Sequence, residues 1–113
     1  MQDAKAVEFF EGVLAKTTAG RIRWEPTAKE SEFIAAIGGK FTIAISRYWN
    51  DDFPFPRHAL ILKDQDGREL TRQASADGGI DEEAIRELYE TARRQALHVD
   101  EKIDSVLGEL SKL

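Results

Sequence analysis

The side chains best suited to acid–base chemistry in this chain are its two histidines. His58 begins an apolar run and follows a loop that holds Asp51 and Asp52. A histidine close to a carboxylate is a common proton-transfer pair, so a small enzyme centred on His58 is one functional hypothesis, the third in order of preference. His98 lies among charged residues near the C-terminus, and we expect it to be solvated.

Metal and phosphate chemistry find little support. The chain has no cysteine, and two histidines give no zinc-binding spacing. The Asp-Gln-Asp-Gly segment 64–67 lacks the later ligands of a calcium loop and is better interpreted as a turn. The Gly-Gly pairs at 38–39 and 78–79 lack the Lys-Ser/Thr of a phosphate loop. We therefore predict no metal and no cofactor, and a protein that is not an enzyme.

A second group of residues combines aromatic rings with positive charge. It comprises Trp24, Tyr48, Trp49, Phe53, Phe55, Arg57 and His58. Together with Arg21, Arg23 and Arg47, these side chains could stack on bases or hold a ligand, which gives a nucleic-acid or nucleotide-related binding module as the alternative function. Aromatic residues at strand ends more often close a hydrophobic core, and that interpretation is favoured here.

Composition restricts the partners. The chain has 113 residues, enough for one domain, with a net charge of −5 and a pI near 5.1. An acidic protein is poorly suited to general binding of the phosphate backbone, so we do not expect nucleic acid as a partner. No apolar run approaches the length of about 18 residues expected of a membrane helix, and the N-terminus does not resemble a signal peptide. We expect no membrane association and a cytoplasmic location.

The elements that position these residues predict an α+β fold. Three-four spacing of apolar residues predicts a helix over residues 3–18, with Gly20 as its left-handed cap. Alternating runs over 21–25, 32–37, 40–49, 57–63 and 68–73 predict a five-stranded antiparallel β-meander within residues 21–73. Gly38-Gly39 predicts a hairpin turn with positive φ angles. A long helix over 81–112 follows the small-residue linker 74–79, with Asp81 as its cap.

The long helix carries an apolar residue at alternating steps of four and three. The seam comprises Ile85, Tyr89, Ala92, Ala96, Val99, Ile103, Val106, Leu110 and Leu113. An unbroken helix of this length would measure roughly 46 Å and extend beyond a domain of roughly 35 Å diameter. We expect its first half to pack on the sheet and its second half, with Val99, Ile103, Val106 and Leu110, to meet another helix.

The leading functional prediction follows from that seam. A second copy of the chain is the simplest partner, so we expect a homodimer and a non-enzymatic interaction or regulatory protein that associates through its C-terminal helix. Packing of the whole seam within one chain remains an alternative. The sheet is apolar on both faces, which leaves two interpretations, namely helices on both faces or a partner surface on one.

Three segments resemble a known group of proteins. They are Thr-Ala-Gly-Arg-Ile-Arg-Trp-Glu-Pro-Thr at 18–27, Gly-Gly-Lys-Phe at 38–41 and Leu-Tyr-Glu-Thr-Ala-Arg-Arg-Gln-Ala at 88–96. This combination resembles a widespread group of small bacterial proteins of unknown function. The resemblance implies a single domain and a bacterial origin, and it brings no activity or site residue with it.

Overall fold

The computed structural model describes residues 4–74 and 80–113 and confirms the α+β class. The elements are α1 (Ala4–Thr18), β1 (Glu25–Pro26), β2 (Glu32–Ile37), β3 (Phe41–Tyr48), β4 (Arg57–Lys63), β5 (Glu69–Ala74), α2 (Glu82–Ala96) and α3 (Val99–Leu110). The five strands form one antiparallel sheet in chain order, which is the predicted meander. Residues 75–79 of the predicted linker, and the first predicted helical residue, lie outside the described residues.

Helix α1 ends at the predicted glycine. Gly20 has φ +73°, its N–H donates to the Thr17 carbonyl at 3.0 Å, and the Arg21 N–H donates to the Lys16 carbonyl at 2.9 Å. These two bonds form the Schellman motif, in which a left-handed residue turns the chain and satisfies the last helical carbonyls.

The predicted strand over residues 21–25 is wrong, since only Glu25 and Pro26 pair with β2. Arg21 cannot extend the ladder because its N–H already closes the end of α1. Trp24 is nevertheless buried, as its alternation with charged neighbours suggested. The indole N–H of Trp24 donates to the Thr17 hydroxyl at 3.0 Å, so α1 rather than a strand ladder fixes this side chain.

The Gly-Gly hairpin is confirmed. Gly38 and Gly39 have φ +64° and +73°, and the Lys40 N–H donates to the Ile37 carbonyl at 3.4 Å. Ile37 pairs with Phe41, so three residues rather than two connect β2 to β3.

Helices α1 and α2 cover one face of the sheet. The main hydrophobic cluster joins Phe10 of α1 and Ile85 and Leu88 of α2 to alternate strand residues such as Ile43 and Leu60. The intervening strand residues point to the opposite face, where Ala44, Ala59 and Ile61 are buried but lie outside this cluster. The structure therefore favours one helical layer over the predicted alternative of helices on both faces.

The single helix predicted over 81–112 is wrong, because the chain turns between Ala96 and Val99. His98 adopts a left-handed conformation, φ 52° and ψ 44°, which is uncommon for a residue other than glycine but is found more often for histidine than for most others. The ion pair between Arg94 and Asp100 links the two helices across this corner. The cap of α2 is as predicted, with the Asp81 carboxylate accepting the Glu83 N–H at 3.3 Å.

Candidate functional site

The two halves of the apolar seam have different environments. Ile85, Tyr89, Ala92 and Ala96 of α2 are buried, as expected for the half that packs on the sheet. None of the α3 residues is buried among the described residues. Ile103, Val106, Leu107 and Leu110 are 46%, 55%, 57% and 55% exposed.

These side chains form one stripe, which we call the α3 stripe and define as Val99, Ile103, Val106, Leu107 and Leu110. Their spacing places them along one side of a helix of 3.6 residues per turn. Leu97, Val99, Ile103, Val106 and Leu107 also line a groove of about 380 Å³ at the corner between α2 and α3. The stripe and the corner groove form a continuous exposed apolar surface, a feature typical of interaction sites.

The predicted aromatic group does not form one patch, because neighbouring strand residues point to opposite faces. Arg57 pairs with Tyr48 across β3 and β4 on the face away from the helices. The Arg57 guanidinium carbon lies 4.1 Å from the centre of the Phe53 ring and 5.8 Å from that of Phe55. Arg57 is buried beside the Phe53 ring. Phe55 and Trp49 are 41% and 71% exposed, so the favoured interpretation of the aromatic group as core residues is wrong for these two.

His58 points to the helical face and is buried against Tyr89, with 5.1 Å between the ring centres. Its Nδ1 atom, the Tyr89 hydroxyl and both polar atoms of the Gln73 side chain have no hydrogen-bond partner among the described residues. His58 Nδ1 therefore makes no hydrogen bond to Asp51 or Asp52. Burial lowers the pKa of His58, and the positive charge of Arg47 lowers it further. Burial also raises the pKa of the Tyr89 phenol.

Arg47, on the helical side of β3, and Trp49, just after the end of β3, line a cavity of about 570 Å³ that we call the Arg47 cavity. Its charged lining residues are Lys29, Glu30, Arg47 and Arg93. Its apolar walls include Pro26, Phe33, Trp49 and Leu97. Lys29, Arg93 and Leu97 were absent from the sequence prediction. Lys29 comes from the loop between β1 and β2, whereas Arg93 and Leu97, at the end of α2, join the cavity because α2 packs on the sheet.

Arg21 and Arg23, predicted to act with Arg47, line a different cavity of about 690 Å³ with Trp24, Gln95 and His98. Pro26 lines both cavities, so they adjoin at β1. Trp24 is only 4% exposed, so it offers no stacking surface there. The three arginines therefore do not form one binding site.

No group of three or more acidic or histidine side chains able to hold a metal occurs among residues 4–74 and 80–113. Within the same ranges, no helix combines the length and apolar character needed to cross a bilayer. Comparison of the chain with protein-family models, curated proteins and solved structures finds no match. The resemblance to small bacterial proteins stays a prediction.

Proposed function

We propose that this chain is a non-enzymatic interaction protein that associates with a second copy of itself through α3. The observation that carries the proposal is the exposure of the α3 stripe, because α3 buries none of its residues against the rest of the described chain. Full burial of a Val, Leu or Ile side chain is worth roughly 1.5–3 kcal/mol, and about half of that gain is still available at Ile103, Val106, Leu107 and Leu110. A helix of this kind is stabilised when a second apolar surface covers it.

The charges beside the stripe favour an antiparallel arrangement of two α3 helices. With Val99 opposite Leu110 and Ile103 opposite Val106 of the second copy, the flanking Lys102 of each helix lies beside Glu109 of the other. Two symmetric pairs of opposite charge result. In a parallel arrangement Lys102 would face Leu107 instead, and the pairs would be lost.

Sedimentation equilibrium tests the association. The wild type is expected to be a dimer at micromolar concentration, twice the chain mass of 12.7 kDa. Ile103→Glu should give a monomer, because the new carboxylate would have to be desolvated in the seam. Ser105→Glu is the matched control, since it adds the same charge to α3 about 200° around the helix from Ile103 and should leave the dimer intact.

A charge exchange tests the orientation. Lys102→Glu should weaken the dimer by placing like charges beside each other, and adding Glu109→Lys should restore it. A wild-type monomer would contradict self-association, and a dimer that Ile103→Glu leaves unchanged would contradict the α3 interface. Equal weakening by the single and the double variant would contradict the antiparallel arrangement.

A further inference from the structure

We propose that the Arg47 cavity binds a small ligand that carries a phosphate group beside a planar ring, the chemistry of a mononucleotide. This site lies outside the α3 stripe and does not depend on self-association. The proposal rests on the charge of the cavity, on the exposure of the Trp49 ring and on the contacts that hold Arg47 in place.

The charge of the cavity is opposite to that of the molecule. Lys29, Arg47 and Arg93 supply three positive charges against the single carboxylate of Glu30, in a chain whose net charge is −5. None of the three cationic side chains forms an ion pair with a described carboxylate. A net charge of two positive units matches a dianionic phosphate better than it matches a single carboxylate. Arginine and lysine side chains also bind phosphate oxygens strongly.

The ring-binding part of the site is Trp49. This side chain is 71% exposed, although tryptophan is highly buried on average. It follows the last residue of β3 and lines the same cavity as Arg47, Phe33 and Leu97. An exposed indole next to unpaired cations is the usual combination in sites that stack a base and hold its phosphate.

The lining residues are held in place by the fold. The Arg47 guanidinium carbon lies 5.1 Å from the centre of the Tyr89 ring, and the Arg47 N–H donates to the Ser31 carbonyl at 3.0 Å. The Thr27 hydroxyl accepts a hydrogen bond from the Lys29 N–H at 3.0 Å and donates one to the Glu32 carbonyl at 3.2 Å, which shapes the loop that carries Lys29. A preformed site loses less freedom when it binds a ligand.

The size of the cavity is also suitable. Its volume of about 570 Å³ lies within the range of roughly 300–1,000 Å³ found for small-molecule sites. A single nucleotide fits this volume, whereas a continuous nucleic-acid strand would need a basic groove along the surface. We therefore assign the site to a free mononucleotide rather than to a polymer.

Isothermal titration calorimetry with AMP, GMP and UMP tests the proposal. At least one should bind with a Kd below about 1 mM, and adenosine and inorganic phosphate should each bind more weakly than AMP. Arg93→Gln should weaken binding about tenfold or more by removing a charge-assisted hydrogen bond. Trp49→Ala should weaken it by a similar factor through lost stacking.

Two controls make the test specific. Arg23→Gln removes a charge from a side chain that is 93% exposed and lies outside this cavity, so it should leave binding unchanged. Ile103→Glu should also leave binding unchanged, which separates this site from self-association. Lys29→Gln, at an exposed loop position, repeats the charge test if Arg93→Gln fails to fold.

Four results would overturn the proposal. The first is that none of the three mononucleotides binds at about 1 mM. The second is that folded Arg93→Gln or Lys29→Gln binds as tightly as the wild type. The third is that adenosine or inorganic phosphate binds as tightly as AMP, which would remove the role of the phosphate or of the ring. The fourth is much tighter binding of a single-stranded oligoadenylate than of AMP.

Discussion

At the scale of single residues, alternation along β3 and β4 decides which side chains can act together. Arg47 and His58 pair across the two strands on the helical face, and Tyr48 and Arg57 pair on the other face. A group that is continuous in sequence is thereby separated by the sheet itself. Tyr89 of α2 packs against both His58 and Arg47, and His58 is a buried residue with three arginine charges acting on it.

The environment of His58 predicts a pH-dependent stability. Burial and the charges of Arg47, Arg86 and Arg57 lower its pKa, while Glu90 raises it by a smaller amount. The unfolded chain therefore takes up a proton at a higher pH than the folded chain does. The contribution of His58 to the free energy of unfolding should be complete above about pH 6.5, the ordinary pKa of histidine. As the pH falls below that value, the free energy of unfolding should decrease.

Urea denaturation at several pH values from about 7.5 to about 5.5 measures this effect. His58→Gln removes the titrating group, so its free energy of unfolding should change less over the same range. His98 is exposed and remains in both proteins, which makes it an internal control. An identical pH dependence in wild type and variant would contradict the prediction.

At the scale of elements, local bonding determines where helices and hairpins begin and end. Gly20 ends α1, Asp81 begins α2, and Gly38-Gly39 turns the chain between β2 and β3. All three positions were predicted from residue type, because each depends on contacts within a few residues. His98 gives the least expected boundary, since no glycine or proline marks it. The two acids after Val99, suited to a helix N-terminus, were the available indication.

The hairpin glycines give a test at this scale. The double variant Gly38→Val and Gly39→Val should lower the free energy of unfolding by roughly 2–4 kcal/mol, since a left-handed conformation costs a residue with a side chain about 1–2 kcal/mol. Gly12→Ala is the control. Gly12 lies exposed within α1, and an added Cβ would meet no atom within 4 Å. It should raise stability by roughly 0.5–1 kcal/mol. A double variant with unchanged urea unfolding would show that the turn does not need positive φ.

At the scale of the whole molecule, the helical layer is placed on one side of the sheet and α3 extends from its end. Helix α1 packs on α2, and the shared core ends near Ala96. Beyond that point the seam continues in sequence but leaves the core, so the same apolar spacing produces packing in α2 and an exposed stripe in α3. Charge is also uneven, with a locally positive Arg47 cavity in a negative chain.

The overall charge gives the third prediction. With a net charge of −5, the chain should not bind random duplex DNA tightly. Fluorescence anisotropy with a labelled duplex at about 0.15 M salt should give a Kd weaker than about 1 μM. Submicromolar binding that weakens steeply with added salt would contradict it, and would indicate that the local cations act together on the phosphate backbone.

The sequence by itself determined the α+β class, the strand order, the caps of α1 and α2, the Gly-Gly turn and the burial of Trp24. These features depend on local bonding and on periodic contrast between apolar and polar residues, both of which can be read along the chain. The tertiary structure alone decided the extent of β1, the turn at His98 and the composition of the Arg47 cavity. The extent of β1 results from competition between α1 and the strand for Arg21, and the Arg47 cavity results from the packing of segments distant in sequence. The Arg21 N–H bonds to the end of α1 and does not join a strand, and Arg93 lines the same cavity as Trp49 because α2 packs on the sheet.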